Sequence, residues 1–123
     1  MLEAFRHIVH AAGYSMAGLV YLLRQELAAR IELAVVGLAL MWFLALGRPL
    51  VDFLILLVIA CILFSVEALN TAIEDVVDKI SPEHSEFGKN AKDLGSTAVF
   101  FMLTAGGIYV AAVTAKAFGW LAL

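Results

Sequence analysis

The chain has 123 residues, of which 63% are hydrophobic and 15% charged, with a formal net charge of −3. That apolar share lies well above the roughly 45–50% of soluble domains, which excludes a soluble fold: a single domain of this size would have to face lipid. The near-neutral balance, with no basic cluster, excludes nucleic acid as a partner.

Residues 5–31 predict an amphipathic helix. Phe5, Ile8, Val9, Ala12, Met16, Leu19, Val20, Leu23 and Leu27 share one face at the helical period. Arg6, His7, His10, Tyr14, Tyr21, Arg24 and Gln25 occupy the other. This pattern suits a helix lying in the membrane interface, its basic side toward headgroups. Gly13 and Gly18 weaken it by about 1 kcal/mol each. His7 and His10, spaced i, i+3, read as solvated interfacial histidines rather than a metal pair. No secretory leader is expected, because Glu3, Arg6 and His7 interrupt the first residues and no cleavage site follows.

A first transmembrane helix is expected over 28–46. Its uncharged run is Leu33–Leu46, extended past Arg30 and Glu32, which would snorkel. Gly47-Arg48-Pro49 then makes a tight turn, and Trp42, Phe43 and Trp120 suit an interfacial aromatic belt. The second span, 51–80, begins with the apolar run Phe53–Val66, in which the lone Cys61 reads as a small buried residue. Ser81-Pro82-Glu83 stops that helix and can start a short new one, with Ser81 as cap and Pro82 at its first position. A polar linker follows, and the third span, 93–116, contains the uncharged Leu94–Ala115. Gly106-Gly107 permits close helix packing. The fold class is therefore all-α integral membrane: an amino-terminal interfacial helix plus three transmembrane helices. Arg6, Arg24, Arg30, Lys79, Lys89 and Lys92 lie on one side and only Arg48 and Lys116 on the other. This bias predicts a cytoplasmic amino terminus and an outside carboxyl terminus.

The second span ends in Glu67-Ala-Leu-Asn70-Thr-Ala-Ile-Glu74-Asp75-Val-Val-Asp78-Lys79. At 100° per residue, Glu67, Asn70, Glu74 and Asp78 fall within a strip about 80° wide, with Leu69, Ala72, Val76 and Val77 off it. Ionisable groups at membrane depth are costly and mark a functional site by default. Glu67, at the apolar end, is placed to reach a lipid headgroup and accept a proton. Glu74 and Asp78 are more solvated and suit Mg²⁺, which takes one or two protein carboxylates and completes its shell with water and phosphate. Glu26 adds a carboxylate from the apolar side of the first helix. Lys92 and Asp93 stand just before the third span, where Lys92 and the free N–H groups of a helix start would hold an anion. These are the parts of phosphoryl transfer from a nucleotide to a lipid hydroxyl. There is no phosphate-binding Gly-x-x-x-x-Gly-Lys loop, nucleophile elbow or protein-kinase signature. Competing readings are interhelical hydrogen bonding, an ion-coupled transporter subunit and a non-catalytic adaptor.

The stretch Glu67 to Asp78 and the stretch Ala91-Lys92-Asp93-Leu94-Gly95-Ser96 resemble the signature of the prokaryotic diacylglycerol kinase family. Ala11-Ala12-Gly13-Tyr14-Ser15 and the Glu26–Glu32 pair resemble its amino-terminal helix. The family also includes undecaprenol kinases, but the Ala-Lys-Asp-Leu-Gly-Ser form is closer to the diacylglycerol kinases of Gram-negative bacteria. The resemblance implies Glu67 as general base, Glu26 and Glu74 as ligands of the Mg²⁺ on ATP, and Lys92 and Tyr14 as contacts of the nucleotide. Asn70, Asp78, Asp93 and Ser15 would line the site. It further implies a homotrimer with active sites shared between subunits, in the cell inner membrane, converting diacylglycerol to phosphatidic acid. One departure is that His7 and His10 stand where family members carry basic residues, with Arg6 displaced.

Overall fold

The computed structural model describes residues 1–122. Among the described residues four helices make up the fold: α1 (Leu2–Gln25), α2 (Leu27–Ala45), α3 (Leu50–Ile80) and α4 (Glu86–Ala117). There is no strand among the described residues. The last three are each long and apolar enough to cross a membrane, and their short connections make them antiparallel neighbours. One end of the bundle carries the α1–α2 junction and the 81–85 loop, hereafter the site end. The other carries the Gly47 turn.

The expected helix over 5–31 is in fact two. Glu26 has extended backbone (φ −101°, ψ 115°) between α1 and α2. No glycine or proline marks the break. It is held by local hydrogen bonds across the joint: the Glu26 N–H still bonds Leu22 O at 2.9 Å. The Arg30 guanidinium reaches back to the free carbonyls of Leu23 and Arg24 at 3.4 and 3.3 Å. Arg30 therefore caps α1 instead of snorkelling, satisfying acceptors that every helix end leaves open. α1 runs unbroken through Gly13 and Gly18, and every residue from 1 to 20 is exposed.

α2 closes at Gly47, whose φ of +61° only glycine adopts without strain. Its N–H bonds Leu44 O, and that of Arg48 bonds Phe43 O, each at 3.0 Å. This pair of bonds is the Schellman arrangement that ends many helices. The turn end is the packed end. Phe43, fully buried and not the belt residue expected, meets Phe53 and Tyr109 edge to face and packs with Leu56 and Val113. Tyr109 donates to Asp52 O and Trp42 Nε1 to Thr114 Oγ1, both at 3.0 Å. Cys61 is exposed on the outer face of α3 rather than buried.

At about 1.5 Å per residue, α2 is about 28 Å long, close to the roughly 30 Å of a hydrocarbon core, whereas the 31 residues of α3 and 32 of α4 reach about 46–48 Å. The excess stands at the site end as an antiparallel pair. α4 starts at Glu86, well before the expected 93, because Ser85 and not Ser81 is its cap: Ser85 Oγ accepts the Gly88 N–H at 3.0 Å and is itself 2.7 Å from Ser81 Oγ. Nothing between 86 and 93 interrupts the helix. Gly88 is needed there because a Cβ would lie 3.0 Å from Val77 Cγ1.

Candidate active site

The acidic stripe of α3 lies where α2, α3 and α4 meet at the site end. Glu67 is 4% exposed, and its Oε2 has no hydrogen-bond partner among the described residues. One turn on, Asn70 Nδ2 donates to Glu74 Oε1 at 3.1 Å. Asn70 Oδ1 points at Gly95 of α4, where a Cβ would sit only 2.1 Å from it. Gly95 is thus the residue that lets the carboxamide occupy the α3–α4 seam. Lower down, Lys92 of α4 donates to Asp78 Oδ1. That pair is 37% and 67% exposed, so it is worth little to stability and is easily exchanged for another anion.

Lys92 lies in the second turn of a continuous helix, not at its start. The expected anion site built from Lys92 and free helix N–H groups does not form, since those groups belong to Glu86–Gly88 and Ser85 takes one of them. Asp93 pairs with Lys89 in an exposed i, i+4 contact and borders the same surface depression as Asp78 and Lys92. Glu26, at the helix break and half-buried, lies within electrostatic reach of Glu67, as does Glu74. The stripe thus gathers Glu26, Glu67, Asn70, Glu74, Asp78 and Lys92. Tyr14 and Ser15 stay out on α1. Ser15 Oγ donates to Ala11 O of its own helix, and Tyr14 borders a shallow surface depression with Arg6, His7 and His10.

Glu32 belongs here, although its sequence reading was a snorkelling surface residue. It is 7% exposed, its Oε2 has no partner among the described residues, and it lies within electrostatic reach of Glu67. The signal was present: Ala29, Glu32, Val36 and Phe43 share the buried face of α2 at helical spacing. Glu32 is the acidic member of an otherwise apolar groove of about 620 Å³ between α2, α3 and α4, with Val35, Leu56, Ile59, Leu63 and Leu103 in its walls. Gly106 and Gly107 also border this groove, and a Cβ on Gly106 would meet Ile59 at an ordinary 3.7 Å, so neither enforces close packing. Leu63 and Glu67 are successive members of one α3 face, so the buried carboxylate stands one turn beyond the groove wall.

Among the described residues no three His, Cys, Asp or Glu side chains converge as a metal cage. Two carboxylates, Glu26 and Glu74, match the donor type and number that a largely hydrated Mg²⁺ takes from protein.

Fold and site define a small all-α multi-pass membrane protein with a buried acid one helical turn beyond the wall of an apolar groove. The profile of the family described as prokaryotic diacylglycerol kinase matches residues 13–114. A diacylglycerol kinase of a Sinorhizobium species is 42% identical over 88% of this chain and 78% of its own length. Proteins of that name from Haemophilus influenzae and Pseudomonas aeruginosa are 35% and 38% identical, over 83% and 80% of this chain and 86% and 80% of theirs. The chain belongs to the prokaryotic diacylglycerol kinase family.

Proposed function

We propose that the chain transfers the γ-phosphate of MgATP to the free hydroxyl of diacylglycerol, giving phosphatidic acid at the cytoplasmic face of the membrane. Family membership and the shared name of its relatives support a diacylglycerol kinase and favour this acceptor over undecaprenol or a transport role. The observation that carries the chemistry is Glu67: a buried carboxylate with one unpartnered oxygen, one helical turn beyond Leu63 of the apolar groove's wall.

An acyl chain in the groove brings the lipid hydroxyl toward Glu67, which takes its proton as the oxygen attacks the γ-phosphorus and the bond from that phosphorus to the bridging oxygen breaks, releasing ADP. Glu32, beside the same groove, offers its unpartnered oxygen to the glycerol headgroup. Magnesium bound to the nucleotide, held through Glu26 and Glu74, would neutralise phosphate charge. Asn70 keeps Glu74 oriented by its hydrogen bond. Lys92 leaves Asp78 for a phosphate oxygen and stabilises charge developing on the transferred group.

The excess of basic residues at the site end supports a cytoplasmic amino terminus and a periplasmic carboxyl terminus, in the inner membrane. The exposed first five turns of α1 and the many exposed apolar side chains of the spans support assembly of several copies, the trimer being the expected form. In it, Tyr14, Ser15 and Asp93 would line a site completed by a neighbouring subunit. The test is transfer of radiolabel from γ-labelled ATP to a panel of lipid alcohols in bilayers, with and without Mg²⁺. Metal-dependent labelling of diacylglycerol well ahead of undecaprenol is expected. Labelling of undecaprenol alone, or of neither, would refute the proposal.

A further inference from the structure

One polar contact between distant parts of the chain lies outside this machinery. The Tyr21 hydroxyl, in the last turn but one of α1, donates to Oδ2 of Asp75 on α3 at 2.9 Å. Both residues are exposed, so the bond does little to bury surface. Its place is what matters. Residues 1–20 are all exposed, so α1 is anchored near its carboxyl end, where Leu22 is 2% exposed. Beyond it lies the single extended residue Glu26, and such a joint between two rigid helices is where a helix swings as a body. Arg30 ties the two sides of that joint to each other, but the Tyr21–Asp75 bond ties α1 to α3. Asp75 directly follows Glu74, and Tyr21 lies five residues before Glu26. The bond therefore links the two stretches of chain that supply the two carboxylates.

We propose that the Tyr21–Asp75 hydrogen bond is a positioning contact for the nucleotide site, fixing the last turns of α1 on α3 and so setting the approach of Glu26 to Glu74. This rests on the reading of Glu26 and Glu74 as the carboxylates that meet the magnesium of MgATP. Glu67, Asn70 and Glu74 all stand on α3 and keep their mutual geometry whatever α1 does. Loss of the contact thus loosens one half of the metal–nucleotide grip while sparing the proton-accepting end. The expected signature is a higher KM for MgATP with kcat preserved.

The test uses the full chain in bilayers, with Tyr21→Phe, Asp75→Ala, Asp75→Asn and the double variant Tyr21→Phe/Asp75→Ala. MgATP is varied at saturating diacylglycerol, and amide hydrogen exchange is followed over residues 19–27 without substrates. Tyr21→Phe and Asp75→Ala are each expected to raise KM for MgATP about fivefold, equivalent to about 1 kcal/mol, with kcat within twofold of the parent. The double variant should be no worse than the singles, because all three remove one bond. Asp75→Asn, which keeps an acceptor oxygen, should restore KM toward the parent, and exchange around Glu26 should quicken in the Phe and Ala variants. Parent-like KM in both single variants, additive effects in the double, a loss confined to kcat, or unchanged exchange would each overturn the positioning role while leaving the kinase reading intact. A parent protein that phosphorylates no diacylglycerol would overturn that reading and the positioning role with it.

Discussion

Gly95→Ala tests the site through a residue that performs no chemistry. The new methyl would sit 2.1 Å from Asn70 Oδ1 and 3.1 Å from its Cγ, against an optimal separation of about 3.5–4.0 Å between carbon atoms. The carboxamide must retreat by more than about 1 Å, and the free direction takes it out of the seam and off Glu74. In the balance, an alanine in a helix interior stabilises by about 1 kcal/mol over glycine. Overpacking costs about 1–3 kcal/mol and a lost hydrogen bond to a charged group about 1.5–3 kcal/mol, the latter reduced because Asn70 is only half-buried. A net destabilisation of about 1–3 kcal/mol is expected, small enough to leave the protein folded. Activity should fall further. With Asn70 displaced and Glu74 unoriented, a loss of about 1.4–2.7 kcal/mol of transition-state stabilisation lowers kcat/KM about 10–100-fold. The assay is labelled-phosphate transfer to diacylglycerol beside thermal unfolding in the same detergent. Gly37→Ala serves as control, since a Cβ there meets nothing within 4 Å. A Gly95→Ala enzyme with the turnover of the Gly37→Ala control would refute the claim that Asn70 must occupy the seam.

Three further outcomes follow from the geometry. Glu67→Gln preserves shape in a site with one unpartnered oxygen, so unfolding should be nearly unchanged while turnover falls about 10²–10⁴-fold; a folded Gln variant at near-parental rate would remove the proton-acceptor role. Phe43→Ala empties a fully buried position between Phe53 and Tyr109 and should cost about 3 kcal/mol by thermal or denaturant unfolding, with the specific activity of surviving protein unchanged because the site is at the opposite end. For pH, the hydrogen bond to Asp75 holds the Tyr21 phenol above its ordinary value of 10.0. A group whose folded value is raised contributes fully below the unfolded value and loses that contribution as pH rises through the folded one. Hence the Tyr21 contact should stay intact over about pH 6–9. A KM change for MgATP within that window that Tyr21→Phe abolishes would contradict it.

What the sequence revealed and what it hid divide along physical lines. Periodicity resolves whatever one helix decides alone: the three apolar spans, and the stripe of Glu67, Asn70, Glu74 and Asp78, whose shared face is fixed by 3.6 residues per turn. The Gly47 turn was legible for the same reason, because glycine is the residue that takes a positive φ there. The break at Glu26 was not legible. No local residue demands it, and it is stabilised by Arg30 turning back to carbonyls of the preceding helix. The early start of α4 was missed because the polar residues from His84 to Lys92 read as a linker, while Ser85 has the geometry to accept the Gly88 N–H. Glu32 was misjudged by composition: a charge near the end of a span suggests snorkelling, but its azimuth with Ala29, Val36 and Phe43 buries it. Phe43 itself fell to the core rather than the interface by the same azimuth.

The lengths of the helices explain why the site is where it is. α2 just spans a hydrocarbon core, and α3 and α4 overshoot it by about 16–18 Å at the end where the chain also turns in from the surface. Beyond the lipid boundary those two extensions are joined by close approach: Gly88 admits Val77, Gly95 admits Asn70, and Lys92 reaches Asp78. Glu67 and Asn70 are thereby set on a rigid two-helix frame that also walls the lipid groove. Glu26 arrives from a joint outside that frame. The α3–α4 part of the site is thus built to hold still and the part carrying Glu26 to adjust, an arrangement suited, on the proposed reaction, to an acceptor confined to the membrane and a donor that enters and leaves through water.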